Sequence, residues 1–430
     1  MIRTLEYVST SDEIPKSASV VIIGGGIVGI SAALTLAERN IKVVVLEKGF
    51  IAAEQSSRNL GWIRKTNRHA HDIPLSLAAD QLWADMPRRI GRDVDYKQTG
   101  IMFLAENDQQ TAAQEAWLKS VEHLNLGSRL LSSKEIASLV PGGVDKWKTG
   151  LFTASDGRAE PTIATSAMAK AAIEKGAIIV QHCAVRGLSR SAGKVSGVVT
   201  EKGEIACEQV LLAGGAWSRR FLGNHGVSLP SLHLFCSVLR TKPIEGPTNI
   251  AVGGPDFSFR KHQDGGFIIM QRGAVDAPLT LDHFLLGTQY LKQLKEQRGA
   301  LRISLGKRFI EDLKIPRRWS SQSPTFFEKI RVMDPLHNAA LNQEALSNLR
   351  QAWPVFNKAD IAEEWAGMID VTPDSIPVID HIQAIPGLTV ATGFSGHGFG
   401  TGPAAGHLAA DLVSGYTPIV DPKPYQFSRL

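Results

Sequence analysis

The chain has 430 residues, which is more than a single hydrophobic core usually supports, so two domains are expected. Its 43% of hydrophobic residues excludes a disordered chain, and its net charge of +5 comes from scattered Lys and Arg, which gives no indication of nucleic-acid binding. No apolar run is long enough for a transmembrane segment or a signal peptide. The cysteines are too few and too widely spaced for a disulfide framework, which favours a cytoplasmic location; they are Cys183, Cys207 and Cys236.

The first predicted element is a strand that turns into a helix. Residues 20–23 form an apolar run typical of a strand buried on both faces of a parallel sheet. Gly24, Gly26 and Gly29 follow at the spacing that allows a tight turn, close approach to a pyrophosphate and close packing of the next helix. That helix is predicted over residues 27–38, where its free N–H groups would meet the phosphates.

A second buried strand is predicted over residues 43–46 and ends at Glu47. A carboxylate at this place accepts hydrogen bonds from ribose hydroxyls and repels a 2′-phosphate, so NADP is disfavoured. The glycine triplet alone is weak support, because Gly-rich turns are common. The strand, triplet, helix, second strand and acid in register together predict a dinucleotide-binding unit.

Two more strands that end in glycines follow far along the chain. Residues 208–217 contain a buried strand that ends at Gly214 and Gly215. Residues 388–400 contain another strand, which is followed by a glycine-rich segment. Glycines after buried strands lie where α/β sheets bind ligands, although either pair alone is equally well read as a strand end. Three such places predict one long cofactor that lies across one sheet.

The material between these units predicts a second sheet. Residues 234–241 read as a strand, and residues 257–260 and 266–270 flank a hairpin turn, so an antiparallel sheet is expected. Residues 281–315 have apolar residues at helical spacing, which favours helices packed beside that sheet over an oligomer interface. The apolar residues concerned are Phe284, Leu285, Leu291, Leu294, Leu301, Ile303 and Ile310.

Several motifs together resemble the D-amino-acid oxidase superfamily of FAD-dependent amine oxidoreductases, which includes glycine oxidase, sarcosine oxidase and the D-amino-acid dehydrogenases. The matching segments lie in the family's order over almost the whole chain: residues 20–48, 56–62 (SSRNLGW), 211–218 (LLAGGAWS), 372–374 (TPD) and 393–399 (GFSGHGF). The first segment is shared with many flavin and nicotinamide enzymes. The last two segments are much more specific.

The resemblance implies an α/β fold with a Rossmann-like FAD-binding domain of the glutathione-reductase type and an α+β substrate domain built on an antiparallel sheet. The FAD-binding domain would comprise residues 1–95, 150–232 and 362–430, and the substrate domain residues 96–149 and 233–361. Sarcosine oxidases have a Cys close to the Thr-Pro-Asp motif that bonds to the flavin. Residues 365–370 here contain none, so noncovalent FAD is predicted.

The resemblance also assigns cofactor contacts, with Val185 placed at the end of the strand that follows Ala177. The residues expected to bind FAD are Gly24, Gly26, Ile27, Val28, Gly29, Glu47, Lys48, Ser56, Ser57, Arg58, Asn59, Gly61, Trp62, Val185, Gly214, Gly215, Trp217, Gly367, Met368, Gly396, His397, Gly398 and Phe399.

The implied chemistry is oxidation of an amine, in which flavin N5 accepts a hydride from the carbon beside nitrogen and water hydrolyses the resulting imine. The expected substrate is an amino acid or N-substituted amino acid, with a D-amino acid or secondary amine favoured, and the electrons pass to O2 or another acceptor. The alternative is a flavin-carrying subunit of a multi-subunit opine or sarcosine dehydrogenase, and a homo-oligomer is also possible. A nicotinamide enzyme is a weaker third reading, because it gives no reason for residues 393–399.

Few side chains are candidates for the reacting centre. An Arg is expected to bind a substrate carboxylate, because its planar fork meets both oxygens. Arg64 is the first candidate, since it closely follows residues 56–62, which the resemblance places around the flavin. Arg272, just past the hairpin, is the second. His397 either hydrogen-bonds to flavin or substrate or merely fills its glycine turn. No metal is assigned, because the set His69, His71 and Asp72 is better read as a solvated loop.

Overall fold

The computed structural model describes residues 5–430. The strands are β1 (Val20–Ile23), β2 (Val43–Leu46), β3 (Trp62–Ile63), β4 (Ile101–Ala105), β5 (Ser128–Ser132), β6 (Thr149–Thr153), β7 (Gly157–Arg158), β8 (Ile178–Val180), β9 (Val185–Ser191), β10 (Lys194–Thr200), β11 (Gly203–Ala206), β12 (Gln209–Leu212), β13 (Leu232–Thr241), β14 (Ala251–Gly253), β15 (Ser258–Lys261), β16 (Phe267–Met270), β17 (Val275–Pro278), β18 (Leu301–Ser304), β19 (Ile361–Val371), β20 (Val378–His381) and β21 (Leu388–Thr392).

The α-helices are α1 (Ile27–Glu38), α2 (Ile73–Ile90), α3 (Asp108–Val121), α4 (Ser133–Leu139), α5 (Pro161–Glu174), α6 (Ser218–Asn224), α7 (Leu281–Leu286), α8 (Leu291–Gln297), α9 (Lys307–Leu313), α10 (Phe326–Lys329), α11 (Ala339–Ala352) and α12 (Gly398–Ser414). Among the described residues, no helix combines the length and apolar character needed to cross a bilayer.

A six-stranded sheet carries the predicted dinucleotide-binding unit. Its strand order is β20-β21-β12-β1-β2-β8, and all neighbours are parallel except β20 and β21. The predicted bounds of β1, α1 and β2 are confirmed. Because β1, β2, β12 and β21 run in one direction, their carboxyl ends meet at one edge of the sheet, where α/β proteins bind ligands.

Glycines let the helices lie close to this sheet and to each other. A Cβ on Gly29 would lie 2.2 Å from the carbonyl oxygen of Gly24, so α1 can follow β1 this closely only with glycine there. Where α12 crosses α1, a Cβ on Gly406 would lie 2.5 Å from the carbonyl oxygen of Val28. The close crossing of α1 and α12 holds the last part of the chain against the first.

The second sheet has ten strands. Nine follow the order β18-β17-β13-β16-β15-β14-β4-β6-β5, and β19 pairs with β13 along most of its length. The predicted hairpin is confirmed as β15 and β16. Most neighbours are antiparallel as expected, but β4 pairs with β14, and β17 with β18, in parallel. The two-domain division stays a prediction, and β6 and β19 of this sheet extend across the boundaries predicted at residues 150 and 362.

The prediction for residues 281–315 is wrong in two respects. Residues 301–304 form the strand β18 rather than a helix, and most of the apolar side chains do not pack beside the sheet. Phe284 is 63% exposed and Leu291 61% exposed, whereas Leu286 and Tyr290 anchor the segment by packing on Leu232. The spacing of apolar residues was a correct sign of helices, but spacing does not reveal which face meets the core. The exposed apolar face comprises Phe284, Leu285, Leu291, Leu294, Ile303, Leu305, Ile310 and Leu313.

Candidate functional site

A cavity of about 420 Å³, here called the central cavity, lies between the two sheets. Its floor is formed by the carboxyl ends of β1, β2, β12 and β21 and by the first turn of α12. Its roof comes from the ten-stranded sheet, through Phe103, Val238, Ser258 and Met270. One continuous space therefore extends from Glu47 at the end of β2 to Arg272 beyond β16.

Most of the residues expected to bind FAD line this cavity. Gly29, Ser57 and Gly61 do not. Gly29 sets the distance between α1 and β1. Gly61 has φ +75°, and a Cβ there would lie 2.3 Å from the carbonyl oxygen of Ala159, so it shapes the wall. The Ser57 hydroxyl donates to the carbonyl of Glu54 at 3.3 Å, within the turn that precedes the wall.

Val185 lines the cavity but lies elsewhere in the fold than predicted. The strand that follows Ala177 is β8, which ends at Val180, and Val185 begins the next strand, β9. The intervening turn includes His182 with φ +50°, a conformation that apolar patterning does not reveal. The chain therefore reaches this part of the cavity one element later than expected.

Glu47 joins the first glycine turn to the segment after β2. Its carboxylate accepts 2.7 Å hydrogen bonds from the backbone N–H groups of Gly25 and Gly49. Burial raises the pKa of this carboxyl, and the charge of Lys48 opposes that rise. Lys48 itself donates to Glu54 at 2.8 Å and lies 4.6 Å above the ring of Trp217. The predicted acid and its neighbours are thus held in place at the end of β2.

At the opposite end of the cavity lies a group of arginines around one aromatic ring. The guanidinium carbon of Arg64 lies 5.3 Å, and that of Arg272 4.3 Å, from the centre of the Phe103 ring. Burial lowers the pKa of each to about 10, which leaves both charged at neutral pH, and Arg64 contributes to the shift of Arg272. We call Arg64 and Arg272 the arginine pair.

His397 lies beside the arginine pair at the start of α12. An Arg64 guanidinium nitrogen is 3.2 Å from His397 Nε2, and since arginine can only donate, Nε2 accepts and the proton is on Nδ1. Burial and the charges of Arg68 and Arg64 hold the pKa of His397 well below its ordinary value. The imidazole is therefore neutral, and its Nε2 lone pair is already used by Arg64.

Sequence reasoning missed several lining residues, among them Gln55, Arg68, Phe103 and Asp370. Gln55 and Asp370 lie next to the segments 56–62 and 372–374, so the resemblance could have indicated both. Asp370 accepts from the backbone N–H of Gly393 at 2.8 Å, which ties β19 to the turn after β21. Nothing in the sequence marks Phe103, because its position depends on how β4 pairs in the second sheet.

The sequence assigns no metal to His69, His71 and Asp72, and these side chains make other contacts. Arg68 and Asp72 form a buried ion pair, and the His69 and His71 rings pack edge to face at 5.1 Å. Within residues 5–430, no group of three or more His, Cys, Asp or Glu side chains is arranged to hold a metal ion.

Comparison with known proteins decides the family. The model of the family described as FAD dependent oxidoreductase (DAO) matches residues 19–412, which is most of the chain. The chain belongs to this family. It is an FAD-dependent oxidoreductase, and the family's members that it resembles act on amino acids or amines.

Three individual likenesses extend over nearly the full chain. An L-amino acid deaminase structure from Proteus myxofaciens, in complex with anthranilate, has 33% identity and a TM-score of 0.96, covering 100% of this chain and 97% of that one. Glycine oxidase of Pseudomonas putida is 24% identical over 420 residues, 95% of this chain and 98% of the relative. Sarcosine oxidase subunit beta of Rhodobacter capsulatus is 22% identical, over 95% of this chain and 88% of the relative.

The residues of this oxidoreductase fit FAD. Two buried donors of lining residues, Arg58 Nη2 and Trp62 Nε1, have no partner in the described part of the chain, and they suit a ligand rich in acceptor oxygens and nitrogens. α1 begins at Gly26, which has no side chain to cap the helix. The Ile27 N–H donates to Ser56 Oγ at 2.9 Å, and the other N–H groups of the first turn, with the positive dipole end, suit the pyrophosphate. Burial raises the pKa of the Cys236 thiol in the cavity to about 12, so it is protonated and a poor nucleophile.

The state of His397 gives a first prediction. Because its pKa lies far below neutrality, the imidazole is neutral at every pH above that value and does not titrate between about pH 6 and 8. His397→Gln, which retains an acceptor for Arg64, is expected to change the size of kcat/KM but not the apparent pKa values in its pH profile over that range. Loss of a pKa near 6.5 in the variant would show that His397 carries a proton in the reaction.

Proposed function

We propose that this enzyme oxidises the Cα–N bond of an amino acid, with hydride transfer to flavin N5, and that the resulting imine is hydrolysed to an oxo acid. The observation that carries the proposal is the arginine pair at one end of a cavity whose other end fits a dinucleotide. Neither Arg64 nor Arg272 takes part in an ion pair within residues 5–430, so both are available to a substrate carboxylate. A simple amine would leave these charges without a partner.

The two arginines offer different parts of their guanidinium groups. Arg64 donates from one nitrogen to the carbonyls of Thr66 and Asn67 and from the other to His397. Among the described residues, Arg272 donates from one nitrogen, to the carbonyl of Gly254 at 2.9 Å. Arg272 therefore presents the larger part of its fork and is proposed to bind the α-carboxylate in a bidentate way. This reverses the order predicted from sequence, in which Arg64 came first.

Bound FAD supplies a two-electron acceptor at N5 for the hydride of the substrate Cα–H bond. The protein orients that bond and keeps water away from it. The roof residues Phe103, Val238 and Met270 exclude water by covering the cavity with apolar surface. The positive charges of the arginine pair disfavour a protonated amine, so they promote the neutral amine that hydride loss requires. The amine proton is lost to solvent as the substrate enters, before water is excluded, because neutral His397 has its Nε2 lone pair engaged by Arg64.

The full-length likeness to an L-amino acid deaminase supports an L-amino acid as the substrate. The sequence motifs alone favoured a D-amino acid or a secondary amine, and both remain in the assay. The purified protein with FAD is mixed anaerobically with L- and D-amino acids, N-methylated amino acids and the matching decarboxylated amines. Bleaching of the flavin absorbance by amino acids but not by their decarboxylated amines is expected. Equal reduction by the amines would contradict the proposal.

A second candidate function is that of a flavin-carrying subunit in a larger complex. The exposed apolar face on residues 284–313 and the likeness to sarcosine oxidase subunit beta support it. In that case the isolated chain is reduced by substrate but passes its electrons on slowly, because the acceptor site belongs to a companion chain. Rapid steady-state turnover with O2 or an artificial quinone by the isolated chain would contradict this candidate.

A further inference from the structure

The arginine pair places two positive charges at one end of the central cavity, where few of the described residues neutralise them. Asp156 is the carboxylate that acts on Arg64, but it already accepts from the backbone N–H groups of Lys65 and Thr66 and lies 3.2 Å from Lys65 Nζ. The pKa of Arg272 is lowered by burial and by the like charge of Arg64. The site therefore holds an excess of positive charge.

The neighbouring groups do not remove this excess. Arg68 is paired with Asp72, so that pair adds no net negative charge. His397 is neutral and accepts from Arg64. The face of the Phe103 ring attracts both guanidinium groups, but a cation–π contact offsets only a small part of the cost of a buried charge.

Geometry places the two charges where one small molecule meets both. Arg64 Cζ lies 5.3 Å and Arg272 Cζ 4.3 Å from the centre of the Phe103 ring. The distance between the two Cζ atoms is therefore at most the sum of these two distances. That span suits a short chain with an acidic group at each end. A single carboxylate between them would neutralise one charge and leave the other uncompensated, which is costly away from water.

We propose that the preferred substrate carries two carboxylates, the α-carboxylate on Arg272 and a second one on Arg64. The substrate class is an amino dicarboxylate or an N-carboxyalkyl amino acid. This inference rests on the proposed function, since it names the substrate class of the same site. Among pairs of related molecules that differ in one charge, the enzyme selects the dianion.

The test compares L-glutamate with L-glutamine, L-aspartate with L-asparagine, and the achiral pair iminodiacetate and N-methylglycine. For the wild-type holoenzyme, the dicarboxylate is expected to have the higher kcat/KM by about 10- to 100-fold, the range for one charge-assisted contact. Arg64→Gln keeps hydrogen-bond donors but loses the charge, and it is expected to bring this ratio close to 1. Arg272→Gln is expected to lower kcat/KM for every substrate by about 100-fold or more.

Binding without turnover provides an independent readout. Glutarate and butyrate cannot be oxidised at an α-amine, and each is titrated into the holoenzyme while the flavin spectrum is followed. Tighter binding of glutarate in the wild type, with the preference lost in Arg64→Gln, supports the inference. Flavin content and Tm of both variants show whether they fold.

The outcomes separate the inference from the proposed function. Reduction of the flavin by monocarboxylate amino acids, with dicarboxylates equal or slower, overturns the inference and leaves the proposed function standing. An equal loss for all substrates in both variants also overturns it, since it means that both arginines bind one carboxylate. No reduction by any amino acid overturns the proposed function itself.

Discussion

Gly24→Ala is expected to give a protein that no longer retains FAD. Gly24 has φ +114°, a conformation that costs an L-residue about 1–2 kcal/mol. A Cβ there would also lie 2.4 Å from the carbonyl oxygen of Ala213, a backbone atom that cannot move without displacing the end of β12. Both strand ends form the floor of the central cavity, so relief of the clash deforms the place where the pyrophosphate is expected.

The measurement is the ratio of flavin to protein after purification and after reconstitution with excess FAD. Gly223→Ala is the matched control, because Gly223 lies in α6 with no atom within 4 Å of an added Cβ. That variant is expected to keep full flavin content and unchanged or slightly higher stability. Stoichiometric, tightly bound FAD in Gly24→Ala would show that the first glycine turn does not hold the cofactor.

Arg260→Met is expected to lower the free energy of unfolding by about 3–5 kcal/mol, because it leaves a buried carboxylate without its partner. Arg260 is 1% exposed and lies 2.9 Å from Glu160, which is fully buried at the start of α5. Arg260 Nε also donates to the carbonyl of Leu60. This one side chain of β15 therefore joins the ten-stranded sheet to α5 and to the segment that wraps the cavity.

The loss is expected to depend on pH. Burial alone would raise the pKa of Glu160, but the charge of Arg260 and hydrogen bonds from His262 and Arg260 hold it well below its ordinary value. A carboxyl with a lowered pKa contributes stability above its unfolded pKa, and this contribution is lost as the pH falls through the folded value. The difference between wild type and Arg260→Met is therefore largest near neutrality and shrinks below about pH 4.

Chemical denaturation at pH 8 and at about pH 3 measures this difference. The double variant Arg260→Met/Glu160→Gln is expected to recover part of the loss. Arg129→Met is the control, because its pair with Glu135 is about half exposed and is expected to contribute little to stability. A change equally small for Arg260→Met would contradict the proposed role.

Local patterns predicted the dinucleotide-binding unit to the residue. Four apolar residues, three spaced glycines and Glu47 each report a local requirement, such as a buried strand or a close turn, and these requirements need no knowledge of distant contacts. The same is true of the hairpin β15–β16, where the turn lies between two strands that pair directly.

The prediction for residues 281–315 was wrong because helical spacing gives the period of a pattern and not the direction of its apolar face. The sequence could not place Phe284 in solvent and Tyr290 in the core, since Leu232, on which Tyr290 packs, is far away in the chain. Likewise Phe103 became a site residue only when β4 paired with β14, and that pairing joins residues 150 positions apart, such as Ile101 and Ala251.

By itself, the sequence predicted a dinucleotide site at the ends of β1 and β2, because each residue of that motif acts through its neighbours. Only the tertiary structure decided what lies at the other end of the central cavity. Arg64 follows β3 and Arg272 follows β16, about 200 residues later in the chain, and they meet at the Phe103 ring. An arrangement of charges across such a gap depends on how these distant segments pack, and that packing is a sum of many weak contacts that no local pattern records.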